Sequence, residues 1–170
     1  MARREPTTAP AVELLLDLLA EAFNLRSWHG TNLRGAVRRI DAAAAAWRPG
    51  PGRHNIQEIV VHAAYWKYAV RRRLTGGKRG SFPLAGSNWF PRADGPDAAL
   101  WAYDVSLMDR EHAALVAAVA GLHASRLERC LGASAWTAAA LVRGAAAHDL
   151  YHAGQIQLIK TLYRGQSRRG

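Results

Sequence analysis

At 170 residues the chain is long enough for one well-cored domain and short for two, and alanine-rich runs with only seven prolines favour a mostly helical protein. The formal charge of +10 raises the question of nucleic acid, since clustered cations release counterions on binding phosphate. Here the arginines are spread along the chain, their runs are short (Arg38-Arg39, Arg71-Arg72-Arg73, then Arg164, Arg168 and Arg169), and no recognised binding motif accompanies them, so a specific nucleic-acid partner is not expected.

Residues 1–9 carry charge, threonine and proline without periodicity and read as a disordered arm with no signal-peptide layout. From Pro10, a residue suited to a helix start, Val12, Leu15, Leu16, Leu19 and Phe23 make an apolar stripe that predicts a helix to Asn24. Ser27-Trp28-His29-Gly30 interrupts it, and His29 beside a glycine reads as structural or exposed. A second helical stretch over 31–40 resumes with Leu33, Val37 and Ile40, and Asp41 is placed to cap a short alanine-rich turn ending at Trp47.

The breaker Arg48-Pro49-Gly50-Pro51-Gly52 separates this from the next helix. Asn55 followed by Glu58 has the spacing of a capping box, so a helix is expected over 56–75, ending at Gly76-Gly77. Its inward stripe is Ile59, His62, Trp66 and Val70, with His62 where a leucine would be ordinary; His54, before the cap, belongs at a rim. The connection over 76–96 is long, glycine-rich and basic. Its Phe82, Trp89 and Phe90 give it enough apolar area to anchor on the bundle or to wall a pocket.

Asp97 should cap a third long helix with Leu100, Tyr103, Asp104, Leu107, Glu111, Leu115, Ala118 and Leu122 near its inner stripe. His112 and His123 share no tight stripe with a partner and read as surface residues. The single cysteine, Cys130, excludes an internal disulfide, suits a reducing compartment, and reads as a small buried thiol rather than a nucleophile. After Gly132 and Ser134 a fourth long helix is expected over 135–163, in which Gly144 and Gly154 imply close approach of a neighbouring helix or room beside a site. The longest apolar runs, over 42–47 and 113–120, are too short to span a bilayer core of ~30 Å, so a cytoplasmic protein without a membrane segment is expected.

The chemistry concentrates in that last helix. At about 100° per residue, His148 and His152 emerge from one face one turn apart, on or beside the stripe of Leu141, Ala145, Ile156 and Ile159. Imidazoles in an apolar interior need either hydrogen-bond partners or a shared ion, and i, i+4 spacing permits the ion. With His62 from the second long helix, they would converge in a bundle core, where such sites are built. Three neutral imidazoles suit a divalent Zn, Ni, Fe or Cu ion and leave coordination positions open, as in a catalytic rather than a structural site. Asp149 and Tyr151 flank the histidines but point off that face, and Asp149 stands where a His-Glu-x-x-His protease motif needs glutamate.

At these residues the chain resembles the DinB-like family of helical-bundle metalloproteins. The resemblance is carried by Trp28-His29-Gly30, by the segment from Pro51 to Lys67 that contains His62, and by His148-Asp149-Leu150-Tyr151-His152-Ala153-Gly154-Gln155-Ile156. It implies an all-α, four-helix bundle of up-and-down, mirror-type topology as one domain over 10–164, followed by a basic tail at 165–170. Relatives are often dimeric, so the resemblance also implies a homodimer. It further implies one divalent metal on His62, His148 and His152. Gln57 stands where many relatives carry an aromatic residue, a difference expected to bear on the pocket mouth. Some relatives join a low-molecular-weight thiol such as bacillithiol or mycothiol to an electrophile. The expected activity is therefore thiol transfer, with Trp66, Trp89 and Phe90 walling the pocket; a hydrolase using metal-activated water and a non-catalytic metal- or ligand-binding protein are the alternatives.

Overall fold

The computed structural model describes residues 9–92, 94–131 and 135–166. Most of the expected N-terminal arm, the basic tail beyond Gln166, and Gly132 and Ser134 lie outside them. Among the described residues the protein is all-helical: α1 (Pro10–Phe23), α2 (Leu33–Val37), α3 (Ala42–Ala46), α4 (Ile56–Thr75), α5 (Ala98–Ala120), a 3-10 turn (Ala124–Arg126) and α6 (Ala138–Gln166). No described helix is long and apolar enough to cross a membrane.

Helix ends follow local hydrogen bonding. Asn32, Asp41, Asn55 and Asp97 each accept a backbone N–H three residues on, at 2.8–2.9 Å, and so start α2, α3, α4 and α5. The second stretch is shorter than the expected 31–40 because Arg38 turns extended and Arg39 left-handed, with φ of 60°. Helix α6 starts three residues later than expected, since the Thr137 hydroxyl accepts from Ala140 N at 3.1 Å and fixes the entry there. Gly76, at φ 71°, closes α4.

The four longer helices close a ring: α1 packs on α5 and α6, and α4 packs on the same two. Pairings give the directions. Gln57 bonds Asp104 and Arg71 bonds Glu111, so α4 and α5 run parallel; His62 meets His152, whereas Lys67 meets Asp149, so α4 and α6 are antiparallel. From α4 onward the chain therefore runs down, down, up, and the alternation of a simple up-and-down bundle is broken at the α4–α5 step. This accounts for the long 76–96 connection, which must return the chain along a helix of roughly 30 Å.

The core has two apolar clusters. One gathers Val12, Leu15 and Leu19 of α1 with Val70, Leu74, Leu115, Val119 and Val142. The other gathers Leu33, Ile56, Val60, Leu107, Met108 and Ile156 with Phe82 and Phe90 of the long connection. On α5 the buried residues include Trp101, whose indole N–H donates to Ile40 O at 2.9 Å, and Met108; Tyr103, expected inside, is exposed. The expectation for His112 is overturned: it is buried and stacks on Phe23 with ring centroids 3.7 Å apart. Cys130, expected buried, is exposed.

Candidate metal centre

Helix α4 delivers His62, and α6 delivers His148 and His152. The His62 Nε2 lies 3.1 Å and the His152 Nε2 3.0 Å from His148 Nε2, so three ring nitrogens converge on one point. Their outer nitrogens fix which tautomer faces inward. His62 Nδ1 is 2.8 Å from the Asn88 carbonyl, which can only accept, and His152 Nδ1 is 2.7 Å from Gln155 Oε1. Both Nδ1 atoms therefore carry the proton, and both Nε2 atoms present a lone pair. His148 Nε2 can donate to only one of them, so at least one lone pair is left facing another nitrogen.

Protonation would relieve that conflict, but the surroundings oppose it. Burial, followed by the neighbouring His152, His62 and Lys67 charges, pushes His148 down to about 3. Burial, only partly offset by the Gln155 hydrogen bond, lowers His152 to about 4, and burial lowers His62 against the opposing Asn88 bond. Three neutral donors within 4.8 Å of one another can hold a metal ion, and the donor set fits one.

The long connection completes the setting. Asn88, in a left-handed conformation with φ of 66°, accepts from Trp66 Nε1 at 3.0 Å through its side chain while its carbonyl orients His62. Trp89 is sandwiched between His62 and the exposed rim residue His54, with centroid distances of 3.8 and 3.6 Å. Phe90 does not wall the centre: it turns into the core against Phe82 and Tyr65.

The connection is held at its far end by ion pairs. Arg92 binds Asp104 through two bonds of 2.9 and 2.7 Å, and its backbone N–H meets Glu58 at 3.3 Å. Burial alone would raise Glu58, but hydrogen bonds from Arg48, His54 and Arg92 hold it at about 2. Only half of the expected capping box forms, because the Glu58 carboxylate serves these three partners. Gln57 is buried and donates to Asp104, so it lies away from any pocket mouth.

A cavity of about 250 Å³ opens beside His148, lined by Trp66, Val70, Arg73, Trp136, Leu141 and Gly144 among others. Gly144 is there for room rather than contact, since a Cβ on it would meet nothing within 4 Å; the same holds for Gly154. Asp149 turns away into a buried ion pair with Lys67, and Tyr151 is exposed. Sequence reasoning missed Lys67 because an isolated lysine on a helix reads as surface. It missed Asn88 because nothing local marks a residue whose partners are 22 and 26 positions away.

The fold and the site together define an all-helical protein with a buried three-histidine centre shared between two antiparallel helices. The chain belongs to the DinB superfamily, whose family model matches residues 27–156. No curated protein and no solved structure matches the chain.

Proposed function

We propose that this DinB-superfamily protein is a divalent-metal-dependent transferase joining a low-molecular-weight thiol to an electrophile. The observation that carries the metal half is the pair of lone pairs that His62 and His152, their outer nitrogens engaged, direct at His148. A Zn, Ni or Fe ion bound there supplies Lewis acidity, which lowers the pKa of a bound thiol, and three protein ligands leave room for one.

The chain's own residues then have definite tasks. Asn88 and Gln155 keep the rings oriented, and Trp89 stacks on one face of His62 to limit water. Trp66 and Trp136 offer an apolar bed for the electrophile in the cavity at His148. In the transfer, sulfur forms the new bond to the electrophilic carbon, the leaving group departs with the electrons of the bond that breaks, and the thiol proton is released. Cys130, in the α5–α6 connection, does not line this cavity.

The test is elemental analysis of protein purified without an affinity metal, followed by thiol and electrophile panels. One ion per chain is expected, lost in His62→Ala, His148→Ala and His152→Ala and kept in His123→Ala, with activity following the metal and surviving Cys130→Ser. Full occupancy in His152→Ala would overturn the ligand assignment. A cobalt-substituted protein whose spectrum ignores every thiol would overturn the thiol-transfer reading alone.

A further inference from the structure

Residues far apart in sequence form a second, chemically distinct concavity. Arg26, Arg34, Arg38 and Arg39, around α2, face Lys160 and Arg164 of α6 across a cavity of about 930 Å³. That volume falls in the range of small-molecule sites, roughly 300–1,000 Å³. No aspartate or glutamate lines it among the described residues, and none of the three histidines does.

Among the described residues, carboxylates neutralise three arginines outside the cleft, and the cleft itself is set apart by the convergence of its cations. Arg48 is paired with Glu58 and Asp94, Arg71 with Glu111, and Arg92 with Asp104. In the cleft only Arg34 has a carboxylate, that of Asp109; Arg26, Arg38, Arg39 and Arg164 have no ion-pair partner among the described residues. Lys160 is half-buried and tied to Ala36 O at 2.8 Å, which holds its charge against the cleft wall. Burial, with the charges of Arg164 and Arg38, pushes its ammonium below the ordinary lysine value, an imbalance that an anion would correct. Arg39 adds a left-handed φ of 60°, a strained conformation in a residue other than glycine. Thr31, Asn32 and Gln157 place neutral polar groups among the cations.

We propose that this cleft binds a compact, multiply charged phosphate ligand, such as a small molecule bearing a di- or triphosphate group. Guanidinium groups bind phosphate oxygens in bidentate fashion, and several around one concavity match clustered rather than linear charge. An extended nucleic acid calls for a track of cations along a surface, whereas these six converge. None of the three histidines lines the cleft, so it does not rest on the transferase reading.

The probe is inorganic tripolyphosphate, titrated calorimetrically into the full chain at about 0.15 M salt, where diffuse surface attraction is largely screened. One saturable site per chain is expected, unchanged in His148→Ala, which separates the cleft from phosphate bound at a metal. Each of Arg38→Ser and Arg164→Ser should weaken it by about tenfold, as expected for a lost charged hydrogen bond. The charge-matched pair Arg129→Ser and Arg143→Ser should leave it within about twofold, since both lie outside the cleft. Equal weakening by both sets, loss of binding in His148→Ala, or no saturable site would overturn the proposal. So would a short single-stranded oligonucleotide that binds more tightly than tripolyphosphate, because the phosphate recognised would then be that of a polymer.

Discussion

His148 and Asp149 are consecutive on α6, yet they serve two buried polar regions of opposite character. Asp149 meets Lys67, and the pair is closed in charge, one anion and one cation, both almost wholly buried, while Asp149 Oδ1 has no hydrogen-bond partner among the described residues. Burial pushes Lys67 down and Asp149 up, and the charge and hydrogen bond of each partner oppose the other's shift. His148 meets two other imidazoles, and that group is open, with donors of one kind and no carboxylate among them. A self-complementary pair is structural by default, whereas a convergence of like donors in the core is costly until something electron-poor joins it.

The comparison is broken most severely by removing one half of the closed pair. Lys67→Met should cost about 3–5 kcal/mol by leaving Asp149 buried without its cation. The double variant Lys67→Met, Asp149→Leu should recover most of the loss, as read from urea midpoints. If Lys67→Met alone is mild, the pair is not closed and Asp149 has another partner.

For the open group the expected behaviour is linkage to metal. A saturating divalent ion should stabilise the protein by about 2.7 kcal/mol at one hundred times its Kd, and the gain should vanish in His148→Ala. Asp149→Asn should bind the ion as before, because its side chain turns away from the ring nitrogens. Thermal unfolding with and without added zinc decides both points.

How much of this was legible in the sequence differs between the two regions. The i, i+4 histidines and the caps at Asp41, Asn55 and Asp97 are local patterns, and local patterns survive folding. Lys67, His112 and Asn88 were misread or passed over because their partners lie on other elements: Asp149, Phe23 and the pair His62 and Trp66. A polar side chain assigned from its own helix reads as solvated; only packing reveals that it is enclosed. The dispersed arginines follow the same logic, since folding collects positions 26–39 and 160–164 around one cleft.

His112 offers a buried histidine outside both regions, and its pH response sharpens the contrast. Burial, and then the Lys67 charge, lowers it to about 3, and its Nδ1 has no hydrogen-bond partner among the described residues. The unfolded chain binds a proton below about 6.5 while the folded protein does not, so this contribution is complete above that pH and lost as pH falls toward 3. Its share of the decline should approach about 1.4 kcal/mol per pH unit. His112→Phe keeps the ring on Phe23 and should remove that share, so metal-free wild type and variant should diverge on acidification from pH 7 to 4.5. Parallel curves would mean that His112 takes up its proton when folded.

The smallest expected effect separates space kept for a ligand from space with no use. Gly144 and Gly154 both sit inside α6, and a Cβ on either would meet nothing within 4 Å. Alanine at either position should therefore stabilise the helix, by at most about 1 kcal/mol, since glycine gives up more backbone freedom on folding and nothing must move to admit the methyl group. Only Gly144 lines the cavity beside His148. Leucine at 144 should fill much of that space while touching none of the ring nitrogens, so it should weaken binding of a small apolar probe such as indole and leave metal content unchanged. Leucine at 154 should do neither. If both leucine variants bind the probe equally, the cavity is not where apolar ligands enter, and the wall formed by Trp66 and Trp136 serves packing alone.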